Sequence, residues 1–281
     1  MKRIKRVFVA NRGEIALRIV TACQEMGVET VVGASEVDMH GLAARRADRA
    51  VCIGPAPAAE SYLRDDLVVQ AALGTGCDAI HPGYGFLSES PKLASRAREH
   101  GIRFVGPPAE VIELSGDKLQ AREEAAKAGV PVLPGREVGS TLDAKNAAED
   151  IGYPLLVKAA GGGGGRGIKL ARDPDELEGL LSLARSEAGA AFGDERLYLE
   201  RFIAAARHVE VQIVADTHGN VLHLGERDCS VQRRYQKVVE ESPATALSGS
   251  ARGALHDAAV AFARAIGYRN LGTVEFVVDA A

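Results

Sequence analysis

Short apolar runs alternate with apolar residues at helical spacing through roughly the first hundred positions of the chain. The first run, Val7–Val9, is followed by four apolar residues that can line one side of a helix, namely Ile15, Ile19, Ala22 and Met26. Gly27 is placed to end that helix, and Thr30–Val32 begins the next apolar run. This order of strand, helix and strand is typical of a parallel sheet covered by helices on both faces.

The same alternation continues as far as residue 105. It predicts strands at Ala50–Ile53, Asp78–Ile80 and Arg103–Val105, and helices at Asp65–Leu73 and around Pro91–Glu99. We therefore predict that residues 1–113 form one doubly wound α/β domain.

From about Leu114 the pattern changes. A helix at Asp117–Ala128 is followed by an extended connection with prolines, and then by a compact set of mixed elements. The pattern predicts helices near Leu142–Asp150 and Pro174–Glu187, and strands at Leu155–Ala159, Ile168–Ala171 and Leu197–Glu200. We expect residues 114–281 to form a second, α+β domain, in which residues of about 132–203 move as a lid.

Longer strands with alternating polar and apolar residues follow. His208–Val214 alternates clearly, and Asp216–Asn220 is a candidate hairpin turn into Val221–Gly225. Thr273–Val278 reads as a further strand close to the last residue. Because a strand without a returning partner suggests a missing continuation, we expect this chain to be the front part of a longer protein.

Charge and hydropathy narrow the possible functions. The 281 residues carry 34 basic and 38 acidic side chains, a net charge of −4, which disfavours a nucleic-acid partner. No apolar stretch approaches the roughly 20 residues that cross a bilayer, and strand-like sequence begins too early for a signal or transit peptide. These features predict a cytoplasmic protein with no membrane partner.

The cysteines are far apart in the sequence and form no CxxC pair; they are Cys23, Cys52, Cys77 and Cys229. A zinc site or a disulfide framework is therefore not indicated. We expect reduced, mostly buried thiols.

Five consecutive glycines, Gly161–Gly165, lie between two predicted strands. Ordering such a run is costly in conformational entropy, which favours a flap whose backbone N–H groups close over phosphate oxygens. A disordered linker is the alternative. The dinucleotide-binding pattern GxGxxG is rejected, because the residues after Gly167 continue as a strand instead of a helix. The Walker A pattern is rejected, because Ile168 stands where its lysine would be.

Two lysines are candidate phosphate ligands. Lys158 sits on the strand that enters the glycine run, directly after Leu155–Val157, where a buried ammonium needs a partner. A nucleotide phosphate would supply that partner, whereas a solvated edge lysine is the alternative reading. Lys118 follows Ser115–Asp117 at the start of a predicted helix and can add a second cation.

Taken in order, several short segments resemble the biotin carboxylase branch of the ATP-grasp superfamily. They are Ala10–Ala16, His81–Glu89, Gly116–Lys118, Lys158–Gly167, Arg207–Glu210, Glu226–Arg234 and Gln236–Glu241. The resemblance covers essentially the whole chain and extends to carboxylases of acetyl-CoA, propionyl-CoA and pyruvate. Other ATP-grasp ligases share the glycines and lysines, but are not expected to carry HPGYGFLSE and ERDCSVQRR.

The resemblance implies a fold and a reaction. The fold is an N-terminal doubly wound parallel sheet, the pre-ATP-grasp domain (1–113), followed by an incomplete α+β ATP-grasp domain (114–281). The reaction uses ATP and Mg²⁺ or Mn²⁺ to convert bicarbonate into carboxyphosphate, whose CO2 carboxylates biotin on a carrier protein. The implied partners are the biotin carboxyl carrier protein, a carboxyltransferase and, in the full-length form, a second copy of the chain.

The family's site residues carry over position by position. ATP would be bound by Lys118, Lys158, Gly163, Gly164, Gly165, Glu200, Ile203, His208 and Gln232. Within that set the lysines match the phosphate ligands, and Glu200 matches the acid that meets the adenine amino group. Lys237 matches the catalytic lysine near bicarbonate and the transferred phosphate, Glu275 the first metal-binding carboxylate, and Tyr84 and Gly85 the place where the biotin ring approaches.

Two departures from the family pattern stand out. Tyr235 occupies a position where the family suggests histidine or another polar residue, which affects local ribose or phosphate contacts. The second metal carboxylate, an asparagine, the bicarbonate-binding arginines and the catalytic base would all lie beyond Ala281. We therefore expect the chain by itself to be an incomplete, inactive part of a biotin carboxylase. The alternatives are a non-catalytic nucleotide-binding fragment and a ligase of the carbamoyl-phosphate-synthase type.

Overall fold

A computed structural model describes residues 3–159, 168–192, 195–233 and 236–279. The chain divides into two compact units. The first comprises the chain up to Gly116 together with Tyr268–Asn270, and the second comprises the rest. No helix in the described part of the chain is both long enough and apolar enough to span a membrane.

The first unit is built on a five-stranded parallel sheet. Its elements in chain order are β1 (Arg6–Val9), α1 (Gly13–Glu25), β2 (Glu29–Ala34), α2 (Leu42–Arg46), β3 (Arg49–Cys52), α3 (Asp65–Gly74), β4 (Ala79–His81), α4 (Pro91–Glu99), β5 (Arg103–Phe104) and α5 (Ala109–Gly116). The strand order is β3-β2-β1-β4-β5, and every pairing is parallel. This is the doubly wound arrangement that the sequence predicts, and the predicted fold class is confirmed.

Alternating side chains of the sheet supply two hydrophobic cores. Phe8 and Ile80 face the core that α3 and α4 cover, with Leu93 fully buried there. Val9 and Val32 point to the opposite face, toward α1 and α2. A strand buried on both sides must be apolar throughout, which explains the unbroken apolar runs in the sequence.

The buried side of α1 differs from the sequence prediction. Its buried residues are Ala16, Ile19, Val20 and Cys23. Met26, which the periodicity assigns to the buried stripe, is 70% exposed. Met26 is the C-cap residue, beyond the last helical turn, and only its backbone N–H is held by the helix, so the prediction was wrong there.

The second unit contains two four-stranded sheets. Its elements are α6 (Lys118–Lys127), β6 (Gly135–Val138), α7 (Thr141–Ile151), β7 (Leu155–Ala159), β8 (Lys169–Ala171), α8 (Pro174–Phe192), β9 (Leu197–Arg201), β10 (Ala206–Ala215), β11 (Val221–Arg233), β12 (Gln236–Glu241), α9 (Gly249–Ala265) and β13 (Asn270–Asp279). The sheet orders are β6-β9-β7-β8 and β12-β11-β10-β13.

The sheet β6-β9-β7-β8 with helices α7 and α8 forms what we call the αβ layer, residues 135–201. Its strands pair antiparallel, and one face of the sheet packs on the two helices. Leu155, Val157, Leu197 and Leu199 are completely buried in that core. Since side chains alternate along a strand, the residues between them project from the opposite face.

Three of the four cysteines, Cys23, Cys77 and Cys229, are buried, whereas Cys52 is exposed. All four thiols are free. This agrees with the expectation that most of the cysteines are buried.

Candidate functional site

The open face of the αβ layer carries a cluster of polar side chains. In the register of β7 and β9, Lys158 lies opposite Tyr198, and Leu156 lies opposite Glu200. Lys158, Tyr198 and Glu200 therefore project from the same face, away from the apolar core. Two residues predicted to bind nucleotide, Lys158 and Glu200, are thus brought together.

Glu200 is held by two cations. The ammonium of Lys158 forms a salt bridge with Oε1, and Nη1 of Arg122 donates a hydrogen bond to Oε2 over 2.9 Å. The Glu200 side chain is only 10% exposed. A carboxylate at this depth requires such partners, because an unpaired buried charge is strongly unfavourable.

Helix α6 brings Lys118 to the same region. Asp117 caps the helix by accepting hydrogen bonds from the N–H groups of Leu119 and Gln120, at 2.9 and 3.2 Å, so that Lys118 is the first helical residue. Burial lowers the pKa of Lys118 and the charge of Lys158 adds to this effect, while Glu200 and Glu275 oppose it. Lys118 is therefore within electrostatic reach of all three of these groups.

The second sheet contributes a charged network around Glu210. Residues on β10 alternate between a buried apolar side, which includes Val209 and Val211, and a polar side that includes Glu210. Nε of Arg227 donates to Glu210 over 2.6 Å, and the Lys237 ammonium bridges Glu210 and Glu275, lying 2.9 Å from Glu275. The predicted catalytic lysine and the predicted metal carboxylate are thus in direct contact.

The network fixes the charge of its members. Burial acts to lower the pKa of Lys237, but the carboxylates of Glu210 and Glu275 raise it well above its ordinary value. The His208 ring and the Lys237 ammonium hold the pKa of Glu275 at about 2, against the effect of burial. Near neutral pH Lys237 is therefore a cation and Glu275 an anion.

His208, Glu210 and Glu275 are candidate ligands for a divalent cation. Their ligand atoms lie within 4.8 Å of one another. Nε2 of His208 is buried and makes no hydrogen bond to any described residue, with Oε1 of Glu275 3.6 Å away. An orphaned buried nitrogen beside two carboxylates fits a metal site, and carboxylate oxygens suit Mg²⁺ or Mn²⁺.

A second group, Glu210, Cys229 and Glu240, has a similar spacing. Burial, reinforced by the charge of Glu210, raises the pKa of the Cys229 thiol to about 11. Hard cations such as Mg²⁺ prefer oxygen ligands, so a group that includes a thiol matches them less well than the first group does.

Two more of the predicted ATP ligands lie nearby in the chain. Gln232, near the end of β11, is paired with Lys237 of β12, and its Nε2 donates to the carbonyl oxygen of Cys229 over 2.9 Å. Ile203 is half-buried in the segment between β9 and β10. The role of Gln232 and of Ile203 in binding ATP stays a prediction.

Tyr84 and Gly85 belong to the first unit, in the turn that follows β4. Nδ2 of Asn11 donates to the carbonyl oxygens of Pro82 and Tyr84, at 2.7 and 2.9 Å, and so ties this turn to the end of β1. Gly85 has a φ of +69°, which glycine adopts without strain. The Tyr84 ring is 65% exposed, and its hydroxyl donates to Glu14 over 3.1 Å.

The glycine run at 161–167, which includes Gly163, Gly164 and Gly165, lies outside the described residues, as does Tyr235. Their assignments stay predictions.

Three residues of the two charged clusters carried no assigned role in the sequence analysis: Arg122 beside Glu200, and Glu210 and Arg227 on the second sheet. Arg122 follows Lys118 by four residues, which places the two on one side of a helix. Glu210 follows His208 by two residues on a strand, which places them on one face. Both signals were present in the sequence, but their partners are distant along the chain and depend on strand register.

Comparison with protein families gives two matches that together cover most of the chain. Residues 3–112 match the N-terminal domain of biotin carboxylase. Residues 117–281 match the ATP-binding domain of the carbamoyl-phosphate synthase L chain.

A biotin carboxylase from Nostoc sp. is 50% identical over 279 residues, which are 99% of this chain and 62% of that protein. The crystal structure of a Campylobacter jejuni biotin carboxylase in complex with β,γ-ATP has a TM-score of 0.95 at 46% identity, covering 99% of this chain and 63% of that one. The biotin carboxylase domain of Hydrogenobacter thermophilus 2-oxoglutarate carboxylase, with MgADP, ADP and bicarbonate, has a TM-score of 0.94 at 45% identity, covering 99% and 62%. The chain spans about half to three-fifths of the length of the first curated relatives.

Proposed function

Because the chain belongs to the biotin carboxylase family of ATP-grasp proteins, we propose that it binds MgATP as part of an enzyme that carboxylates biotin. In this reaction bicarbonate would be phosphorylated by ATP to carboxyphosphate, and biotin on a carrier protein would receive the CO2. The proposal concerns the whole protein, of which these residues would supply the ATP-binding part.

One observation carries the proposal. Lys118 is electrostatically coupled to Lys158, to Glu200 and to Glu275, and Glu275 is the carboxylate beside Lys237. Cations for phosphate oxygens therefore lie in the same region as an anion for a metal ion, which is what binding a metal–nucleotide complex requires.

The proposed roles of the single residues follow from their surroundings. Lys118 and Lys158 would bind phosphate oxygens, and Glu200 would accept a hydrogen bond from the adenine amino group. We propose that Ile203, His208 and Gln232 line the same nucleotide site, with the glycines Gly163, Gly164 and Gly165 closing over the phosphates. Residues of about 132–203 would act as the lid.

Glu275, with Glu210 and the buried nitrogen of His208 nearby, would hold Mg²⁺ or Mn²⁺. When bound, the metal supplies positive charge that shields the phosphate oxygens of ATP. Lys237 stays an ammonium at neutral pH because its carboxylate neighbours raise its pKa. It would therefore act as a positive charge toward bicarbonate and the transferred phosphate, and would not act as a base.

The acceptor and the partners are inferred from the family. We propose that Tyr84 and Gly85 approach the biotin ring, that a biotin carboxyl carrier protein delivers it, and that a carboxyltransferase uses the product. The H. thermophilus relative is described as a domain dimer, and we propose a homodimer for the protein that contains this chain.

Replacing Lys118 or Lys158 with alanine is expected to weaken ATP binding by roughly tenfold to a hundredfold, because each variant loses a charge-assisted phosphate contact. Calorimetric titration of the intact protein with MgATP measures the effect. Lys145→Ala is a matched control, since Lys145 pairs with Glu178 at the surface of α7 and should leave affinity unchanged. Unchanged affinity in both variants would remove these lysines from the site.

The proposed activity is tested by measuring ATP cleavage by the intact protein with bicarbonate, in the presence and absence of free biotin and Mg²⁺. ATP cleavage that requires bicarbonate and rises with biotin is the expected result. Ammonia in place of biotin tests the ligase class named by the family match over 117–281. ATP cleavage that responds to ammonia and not to biotin would contradict the proposal.

A further inference from the structure

Arg122 occupies a position on α6 from which it reaches the acid proposed to read the adenine base. It lies four residues after Lys118, so both side chains project from the same side of the helix. Its side chain is 23% exposed, and that of Glu200 is 10% exposed. One helix thus presents a proposed phosphate ligand at its first residue and a guanidinium one turn later.

Three contacts fix the guanidinium of Arg122. Nη1 donates to Oε2 of Glu200 over 2.9 Å, and Nη2 donates to the carbonyl oxygen of Leu133. The guanidinium also lies over the ring of Tyr198, with its central carbon 5.1 Å from the ring centroid. Two hydrogen bonds in different directions and a stacked ring leave a planar, rigid group little freedom to rotate.

Tyr198 is itself held in place. A Cβ atom at Gly135 of β6 would come within 2.6 Å of the Tyr198 hydroxyl oxygen and 2.5 Å of the Leu199 carbonyl oxygen. Only glycine at this position allows β6 to pass so close to β9. The support beneath the guanidinium is therefore built into the backbone of the αβ layer.

Each oxygen of the Glu200 carboxylate contacts a different cation. Oε1 is paired with the Lys158 ammonium, and Oε2 accepts a hydrogen bond from Arg122. A carboxylate has about four lone-pair positions, so it can still accept a hydrogen bond from an amino group. Lys158 is shared with the phosphates in the proposed function, whereas among the described residues Arg122 contacts Glu200, Leu133 and Tyr198. Arg122 can therefore keep Glu200 oriented while Lys158 engages a nucleotide.

We propose that Arg122 is a positioning residue for base selection, which orients Glu200 as an acceptor for an amino group on the purine. This inference rests on the proposed function, in which Glu200 meets adenine. Adenine carries an amino donor at the relevant carbon, whereas guanine carries a carbonyl oxygen that the carboxylate repels. Loss of the orientation should reduce the preference for ATP over GTP without altering the binding of phosphates.

The test compares Arg122→Met and Arg122→Lys with the unsubstituted intact protein, with MgATP, MgGTP and magnesium tripolyphosphate as the titrated ligands. For Arg122→Met we expect ATP affinity to fall roughly tenfold to a hundredfold, the effect of one charge-assisted hydrogen bond. GTP and tripolyphosphate affinities should stay unchanged, because neither ligand offers Glu200 an amino group at that carbon. Arg122→Lys should recover part of the ATP affinity, since lysine keeps the positive charge but lacks the planar, two-armed guanidinium.

Two controls separate this role from a structural one. Arg136→Met removes an arginine from the neighbouring strand β6, where it pairs with Asp143, and should change none of the three affinities. Lys158→Ala should weaken ATP and tripolyphosphate alike. Thermal unfolding of each variant shows whether the second unit stays folded.

Equal losses of ATP and tripolyphosphate affinity in Arg122→Met would overturn the inference, as would an unchanged ratio of ATP to GTP affinity. Failure of the unsubstituted protein to bind ATP would instead overturn the proposed function, and this inference with it.

Discussion

Replacing Lys237 with methionine is expected to lower the turnover of bicarbonate-dependent ATP cleavage in the intact protein by about a hundredfold to a thousandfold, as when one preorganised charge is removed from a reaction site. Lys237 is the cation that joins Glu210 to Glu275, and both carboxylates keep it protonated. Methionine preserves most of the side-chain volume but carries no charge. The steady-state turnover rate should fall much more than the ATP affinity measured by calorimetry, because the charge is proposed to act in the reaction step.

The fold should tolerate this change. Glu210 keeps its ion pair with Arg227 when Lys237 is removed, so its buried carboxylate is not left alone. Lys145→Met is the matched control, since it removes an ion-paired lysine from the surface of the αβ layer. Turnover of Lys237→Met equal to that of this control would contradict the role we propose for Lys237.

The largest loss of stability is expected from Glu226→Ala, which should lower the free energy of unfolding of the second unit by about 3 kcal/mol. The Glu226 side chain is only 2% exposed. Its Oε1 accepts hydrogen bonds from Nε of Arg252 at 2.7 Å and the N–H of Ala244 at 3.1 Å, and its Oε2 lies 2.7 Å from Nε2 of His256. We take the lower end of the usual range because Arg252 keeps a third of its side-chain surface in water.

This stabilisation depends on pH in a defined direction. Burial acts to raise the pKa of Glu226, but His256, the Ala244 N–H and Arg252 lower it below its ordinary value. A carboxyl group with a lowered pKa in the folded protein stabilises it above the unfolded pKa, about 4.3, and loses that effect as the pH falls further. The difference in free energy of unfolding between the unsubstituted protein and Glu226→Ala should therefore become smaller below about pH 4.3.

Urea unfolding followed by circular dichroism measures both effects. Glu178→Ala is a suitable comparison, since it removes a carboxylate from a surface ion pair and should change stability little. If Glu226→Ala unfolds at the same urea concentration as Glu178→Ala, the buried cluster does not stabilise the unit.

The sequence predicts the first unit well because its signals are local. Unbroken apolar strands such as Val7–Val9, separated by amphipathic helices, determine a parallel sheet almost without alternatives. Met26 shows the limit of this reasoning. Spacing alone does not show where the last turn of a helix ends, and a residue just beyond it turns to solvent.

The second unit is less predictable from local pattern. Helix α9 begins after Ser248, whose side chain caps it by accepting from the Ala251 N–H, but Gly249 and Gly253 weaken its apolar periodicity. Strand β12 is charged and largely exposed, so it shows no alternation and exists because it pairs with β11. Tertiary pairing determines both elements more than propensity does.

The charged contacts of the site also depend on tertiary pairing more than on local sequence. Strand alternation predicts which face of its own strand Lys158 or Glu200 occupies. Whether the two side chains meet depends on the register of β7 against β9. Arg122 and Glu200 are 78 residues apart, and Glu226 lies 26 and 30 residues from its partners Arg252 and His256 on α9. Contacts over such distances are products of the fold and leave no trace in short sequence windows.

The hydrophobic cores described above also suggest an order of events during synthesis on the ribosome. The two cores of the first sheet draw on residues 4–105, and the core of the αβ layer draws on residues 138–199, each a continuous stretch of chain. Each can therefore close as soon as its own stretch has emerged, since domains generally fold as units from the N-terminus onward. Glu275 is translated after all three cores, so the proposed metal ligand arrives at a scaffold that has already had time to form.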